Sequence, residues 1–171
     1  ASTESLYRPR NTWEQCVDYV ISEMTECANS NAIQSSYEEL EYGLATKGTC
    51  QAVISRLLLY SARDLFNGNT LYRNVKNPTT SEFPDLSDAE LFPQQYDASK
   101  WLKAAEAAKV LLDNSQYKLY RAGNGNPYED YVGITNVNWN SELIWTDRYN
   151  NRFSWGVGTV PTGVAGTAYG A

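Results

Sequence analysis

Apolar side chains return with helical period along three stretches of this chain. The longest, from Ala45 to Asn67, predicts a long buried helix over 46–67. Val53, Leu57, Tyr60 and Leu65 make one apolar stripe there, and Leu58, Ala62 and Phe66 make a second beside it. A surface that wide needs neighbours on more than one side. Thr46 is placed to cap the first turn, and Asn67-Gly68 supplies the left-handed residue that ends helices. Upstream, Thr12 and Gln15 form a capping-box pattern, and Trp13, Val17, Val20, Ile21, Met24 and Ala28 fall on one face of a helix over 13–29. Downstream, Asp97 or Ser99 caps a third helix over 98–114, with Trp101, Ala104, Ala105, Ala108, Leu111 and Leu112 on one side.

The intervening segments lack this period. Residues 1–11 form an extended lead-in, and the polar connection 29–43 makes the first two helices an antiparallel hairpin. Pro78, Pro84 and Pro93 break up 68–97 into a loop long enough to be either functional or mobile. Beyond Tyr120, Gly123 to Pro127 reads as a turn and Tyr128 to Ile134 as a short helical turn. Ser141 to Tyr149 reads as a short strand or extended segment, and the glycines after Asn150 exclude a long regular element. The expected architecture is all-α: one domain over 1–171, with helical hairpins and the loop-rich stretches 68–97 and 120–171. Trp13, Cys16, Val17 and Val20 share their spacing with Trp101, Ala104, Ala105 and Ala108, and the same offsets open a tetratricopeptide unit. Plain core packing accounts for that spacing equally well.

Composition narrows the function. The 171 residues suffice for one sizeable core. A net charge of −6 argues against a nucleic-acid partner, whose phosphates are bound largely through Lys and Arg. No apolar run reaches the roughly 18 residues of a spanning helix. The 3 cysteines leave an odd thiol. Cys16 and Cys27 lie about 16 Å apart along one helix, too far for a disulfide. Buried free thiols are therefore expected, with a bridge from Cys50 to either as the alternative.

The chain has no histidine, which removes the commonest general base and metal ligand. The cysteines lack zinc-site spacing, and Asn124-Gly125-Asn126 lacks the acidic ligands of a calcium loop, so neither metal nor cofactor is expected. A glycosidase could use two carboxylates, such as Glu129 with Asp130 or Glu142 with Asp147, but solvated acids are the simpler reading. Aromatics are the stronger signal, with 13 Tyr and 5 Trp. Trp139, Trp145, Tyr149, Phe153 and Trp155 crowd together with Asp147, Arg148, Asn150, Asn151 and Arg152. Flat aromatic faces suit the apolar C–H side of a sugar ring, and planar polar groups suit its hydroxyls. The candidate ligand-binding residues are Trp139, Asp147, Arg148, Tyr149, Asn151 and Trp155. Tyr72 and Tyr128 are second-rank loop candidates. Trp13 and Trp101 are packing residues by helical phase, and Trp145, between Ile144 and Thr146, is expected to be buried.

Residues 43–69 (GLATKGTCQAVISRLLLYSARDLFNGN) and 92–120 (FPQQYDASKWLKAAEAAKVLLDNSQYKLY) resemble the SusD/RagB-like outer-membrane lipoproteins of Bacteroidetes. That family has a Gly-Arg-Ala-Thr-Lys-Gly entry to a helix ending in Leu-Tyr, then a small-residue helix opening with Lys-Trp. Asn140 to Trp145 is similar to its Asn-x-Glu-x-Ile segment, and Pro161-Thr162 with Ala168-Tyr169 to its Pro-Thr-Gln run ending in Ala-Tyr. Leu44 stands where the family has Arg, and Gly163 to Thr167 lacks the family's Gln and Asp. Family members are longer and begin with a signal peptide and a lipidated Cys, so the chain looks like an internal excerpt lacking the anchor and the C-terminal half. The resemblance implies a scaffold of tetratricopeptide-like pairs held on the outer-membrane surface by a lipid anchor. Such a protein caps a TonB-dependent transporter of the SusC type and captures glycans, or in some members peptides, for import without chemistry on the ligand. The alternative is a helical scaffold that docks a protein and binds no glycan.

Overall fold

The computed structural model describes residues 8–38 and 41–146. Within them the regular structure is helical: α1 (Trp13–Asn29), α2 (Lys47–Ala62), α3 (Ser99–Leu112) and α4 (Pro127–Asn136). No strand forms among the described residues; Lys76 and Glu90 make an isolated antiparallel bridge. The all-α expectation holds.

α1 spans the range its period indicates. Its capping box is complete: the Gln15 N–H donates to Thr12 Oγ1 at 3.2 Å and the Thr12 N–H to Gln15 Oε1 at 2.8 Å. Thr46 caps α2 in the same reciprocal way with Thr49, at 3.3 and 3.1 Å. As its width requires, α2 packs against both α1 and α3. Lys100, on α3, reaches Glu14, on α1, at 2.7 Å and ties the two flanking helices together.

The far end of α2 departs from expectation. The helix stops at Ala62 because Arg63 turns extended, with φ −74° and ψ 153°. Residues 63–67 form turns instead, and the Phe66 ring is carried onto Trp13, with centroids 4.1 Å apart and planes 10° from parallel. Asn67 replaces the lost helical turn with its side chain, whose amide nitrogen donates to the Ala62 and Asp97 carbonyls while its oxygen accepts from the Asp97 N–H. Of the first stripe, Val53, Tyr60 and Leu65 are exposed and Leu57 is half-buried. Burial lies at the helix ends, at Gly48, Thr49 and Cys50 and again at Ser61 and Ala62. Gly68 ends no helix. At φ +80° it lets the chain pass the Tyr96 backbone, whose nitrogen would lie 2.6 Å from an added Cβ.

α3 is two residues shorter at its C-terminal end than expected and is rotated. Ala104 is buried and Ala107, Ala108 and Leu111 are half-buried, whereas Trp101, Ala105 and Leu112 face outward. Neither Asp97 nor Ser99 caps the helix: the N-cap position is Ala98, without a side-chain cap, and Asp97 Oδ1 accepts the Ser99 N–H at 2.8 Å just ahead of it. Segment 68–97 contains 3-10 turns at Thr70–Tyr72 and Pro84–Leu86 and is held by Asn77. Asn77, 4 % exposed, exchanges hydrogen bonds with both backbone groups of Arg10 and donates to the Leu86 carbonyl. The thiols are all free, but only Cys50 is buried; Cys27 is half-buried and Cys16 exposed, because it lies off the face of α1 that carries Val17. Burial pushes the Cys50 thiol up, and the neighbouring Cys27 adds to this.

Candidate functional site

Two segments far apart in sequence meet beyond the α2 N-terminus. α4 is longer than a helical turn. Asn126 caps it by accepting the Tyr128 N–H, Pro127 opens it, and Gly133 lies so close to Tyr120 that an added Cβ would fall 2.1 Å from the ring. After α4 the chain bends sharply around Asn140. This residue, 8 % exposed, donates to the Ile134 and Val137 carbonyls and accepts the Glu142 N–H at 3.0 Å. The bend forces Trp139 into the left-handed region at φ +54°, an uncommon conformation for a bulky residue. Within the described residues, 141–146 is turn and irregular chain, so the strand alternative does not form there. Lys118 and Ser141 exchange two hydrogen bonds, and Glu142 accepts the Tyr120 N–H at 3.0 Å.

The bend sets Trp139 against Tyr42, with ring centroids 4.7 Å apart and planes tilted by 35°. Trp145 reaches the same place from the other side, its indole N–H donating to the Gly43 carbonyl at 2.9 Å. Together with Tyr37 and Tyr117 these rings line a cleft of about 230 Å³, whose polar groups include Gln116, Asn140 and Ser141. Clefts that bury a whole drug-sized ligand run to about 300–1,000 Å³, so this one suits a single ring of a longer ligand. Tyr117 joins the cleft to α2. Its ring packs on Gly48 of α2, where an added Cβ would lie 1.9 Å from Tyr117 Oη.

Of the sequence candidates, Trp139 lies in the cleft and is 38 % exposed. Asp147, Arg148, Tyr149, Asn151 and Trp155 lie outside the described residues. Trp145, expected in the core, is 61 % exposed, because its one polar atom is satisfied at the cleft rim and its ring stays at the surface. Trp101 is likewise exposed, whereas Trp13 does pack, stacked on Phe66. Tyr72 packs on Phe92, and Tyr128 is exposed on α4. Sequence reasoning missed Tyr37, Tyr42 and Tyr117. Their only signal was the high Tyr count, since it is tertiary contact that brings them to Trp139.

Of the carboxylates weighed as acid pairs, Asp130 and Glu142 accept backbone N–H groups, and Asp147 lies outside the described residues. Asp130 accepts from Arg121 at 2.9 Å and from the Ala122 N–H at 2.7 Å, and these bonds, led by the Arg121 guanidinium, hold its carboxyl below the usual range. Glu129 is bonded to Asn124 and Asn126. A depressed folded-state pKa contributes stability that is present above the unfolded value of about 3.9 and lost as pH falls through the folded value. Asp130→Asn is therefore expected to flatten the acid limb of the stability profile below about pH 4, measured by urea unfolding at successive pH values. An unchanged acid limb would show that the Arg121 pair carries no linkage. Among the described residues no group of three His, Cys, Asp or Glu side chains is placed to hold a metal ion, and no helix is long and apolar enough to cross a membrane.

No family model matches the chain, and no curated protein matches it. Among solved structures it is similar to BT4246, a Bacteroides protein, at 32% identity over 70% of this chain and 20% of that one, with a TM-score of 0.56. The selenomethionine form of BT4246 matches at 30% identity over 78% of this chain and 21% of that one, also with a TM-score of 0.56. The chain thus spans about a fifth of the length of the structures it matches.

Proposed function

We propose that this chain belongs to a SusD/RagB-like surface protein that captures glycan and passes it to a TonB-dependent transporter of the SusC type. The carrying observation is the cleft in which Trp139 and Trp145 face Tyr37, Tyr42 and Tyr117, with amide and hydroxyl groups between them. Aromatic faces bind the apolar side of a pyranose, and the polar groups give direction without forming a covalent bond, which suits a ligand that must be released. The four ordered sequence resemblances support the family reading. The packing of α2 against α1 and α3 supports tetratricopeptide-like hairpins. In this reading the protein sits on the outer-membrane surface through a lipid anchor, and Asp147, Arg148, Tyr149, Asn151 and Trp155 are further candidates for glycan contact by residue type.

Isothermal titration of the full-length protein against neutral oligosaccharides tests this. Trp139→Ala and Trp145→Ala are each expected to weaken binding about tenfold, equivalent to about 1.4 kcal/mol. If both variants bind as tightly as the parent, the cleft is not the site. One observation favours the docking alternative: Leu112, Leu119, Tyr128 and Tyr131 are all exposed on and between α3 and α4. Co-purification with a barrel transporter together with silence on a glycan array would decide for it.

A further inference from the structure

We propose a second saccharide-binding surface, separate from the cleft, in the groove where the end of α2 meets the start of α3. The groove measures about 490 Å³ and is lined by Tyr60, Arg63, Asp64, Leu65, Phe66 and Trp101. It exists because α2 stops early: the turn at 63–67 folds away and leaves the Tyr60 and Trp101 rings bare on either side of it, 40 % and 42 % exposed.

Each ring has a hydrogen-bond partner at its polar end. Tyr60 Oη accepts from Arg56 Nε at 3.3 Å, and the Arg56 guanidinium lies 5.6 Å from the ring centroid. The Trp101 indole N–H donates to Tyr96 Oη at 3.1 Å. Phe66 also borders the groove and is itself held by stacking on Trp13. An aromatic already held in place loses little freedom when a ligand stacks on it, which is what separates a binding platform from an incidental exposed side chain. Arg63 and Asp64 supply a planar donor and a planar acceptor beside these rings, and among the described residues no side-chain hydrogen bond or ion pair engages either. Their charges cancel, so the groove suits a neutral ring with hydroxyls in the plane and C–H groups on the face, the chemistry of a neutral hexose oligosaccharide. The groove's own geometry carries this site, independently of the cleft. Two modest sites on one chain would hold a long glycan through effective concentration.

Indole N–H resonances separate the two sites. In the ¹⁵N-labelled full chain, Trp101, Trp139 and Trp145 are assigned by Trp→Phe substitution, and neutral hexasaccharides of glucose, mannose and xylose are titrated in. The Trp101 resonance is expected to shift saturably with at least one of them. Tyr60→Ala should weaken that shift about tenfold and Arg63→Gln about threefold, while Trp139→Ala leaves it unchanged. Arg63→Gln changes an exposed side chain, so it gives an answer even if Tyr60→Ala fails to fold. A Trp101 resonance that stays still while Trp139 and Trp145 shift overturns the groove and leaves the cleft standing; the reverse pattern supports the groove and removes the cleft. If no indole moves with any of the three sugars, or if Trp101 moves only with an aromatic-rich peptide, the groove is not a saccharide site.

Discussion

Trp13→Ala is expected to destabilise the protein by about 3–4 kcal/mol, the range for losing a packed aromatic. Trp13 does more than fill space. Its ring stacks on Phe66 and neighbours Phe92 at 6.4 Å, and Phe92 in turn packs on Tyr72. One side chain thus joins the start of α1, the turn after α2 and the 68–97 segment. The indole N–H also donates to the buried Ser61 hydroxyl at 3.3 Å. Trp13→Phe keeps the stack and loses that bond, so it should cost only about 1 kcal/mol. Urea unfolding followed by circular dichroism measures both. A loss below about 1 kcal/mol for Trp13→Ala would mean that the cluster does not hold these three segments together.

The second large effect is expected at Asn67. With 2 % exposure and three hydrogen bonds to the backbone of Ala62 and Asp97, it joins the end of α2 to the start of α3. Asn67→Ala leaves the part-buried Asp97 N–H and the Ala62 carbonyl without partners, and leaves the Asp97 carbonyl only the longer bond from the Lys100 N–H at 3.4 Å, at an expected cost of about 2–3 kcal/mol. Asn67→Asp should be no milder, because the carboxylate keeps the acceptor but faces both carbonyls without a donor. Amide exchange at Asp97 gives a local reading, and protection there that survives Asn67→Ala would show that the link is held by other contacts. The same substitution tests the groove's origin, since the turn that bares Tyr60 and Trp101 is anchored by this residue.

The two Asn clamps show where reading the chain stops. Both sit in polar surroundings that look like loop: Asn67 before a glycine suggested a helix end, and Asn77 stood among prolines and threonines. Their partners lie far along the chain, Asp97 for one and Arg10 for the other. Segment 68–97 was therefore legible as irregular chain but not as an anchored piece. The candidate site divides in the same way. Trp139 was marked by the aromatic crowd around it, whereas Tyr42 and Tyr117 were not.

The sequence by itself determined that the described chain is helical, where α1 begins and ends, and that Thr12 and Thr46 cap the first two helices. Each of these depends on residues within about four positions of one another, so a linear reading contains all the physics involved. Tertiary structure alone decided that α2 stops at Ala62, that Trp101 and Trp145 stay at the surface, and that Trp139 meets Tyr42 across a cleft. In those places a distant partner offers a stack or a buried hydrogen bond that outweighs the local preference for another helical turn or for a buried indole, and no local pattern records where that partner will come to lie.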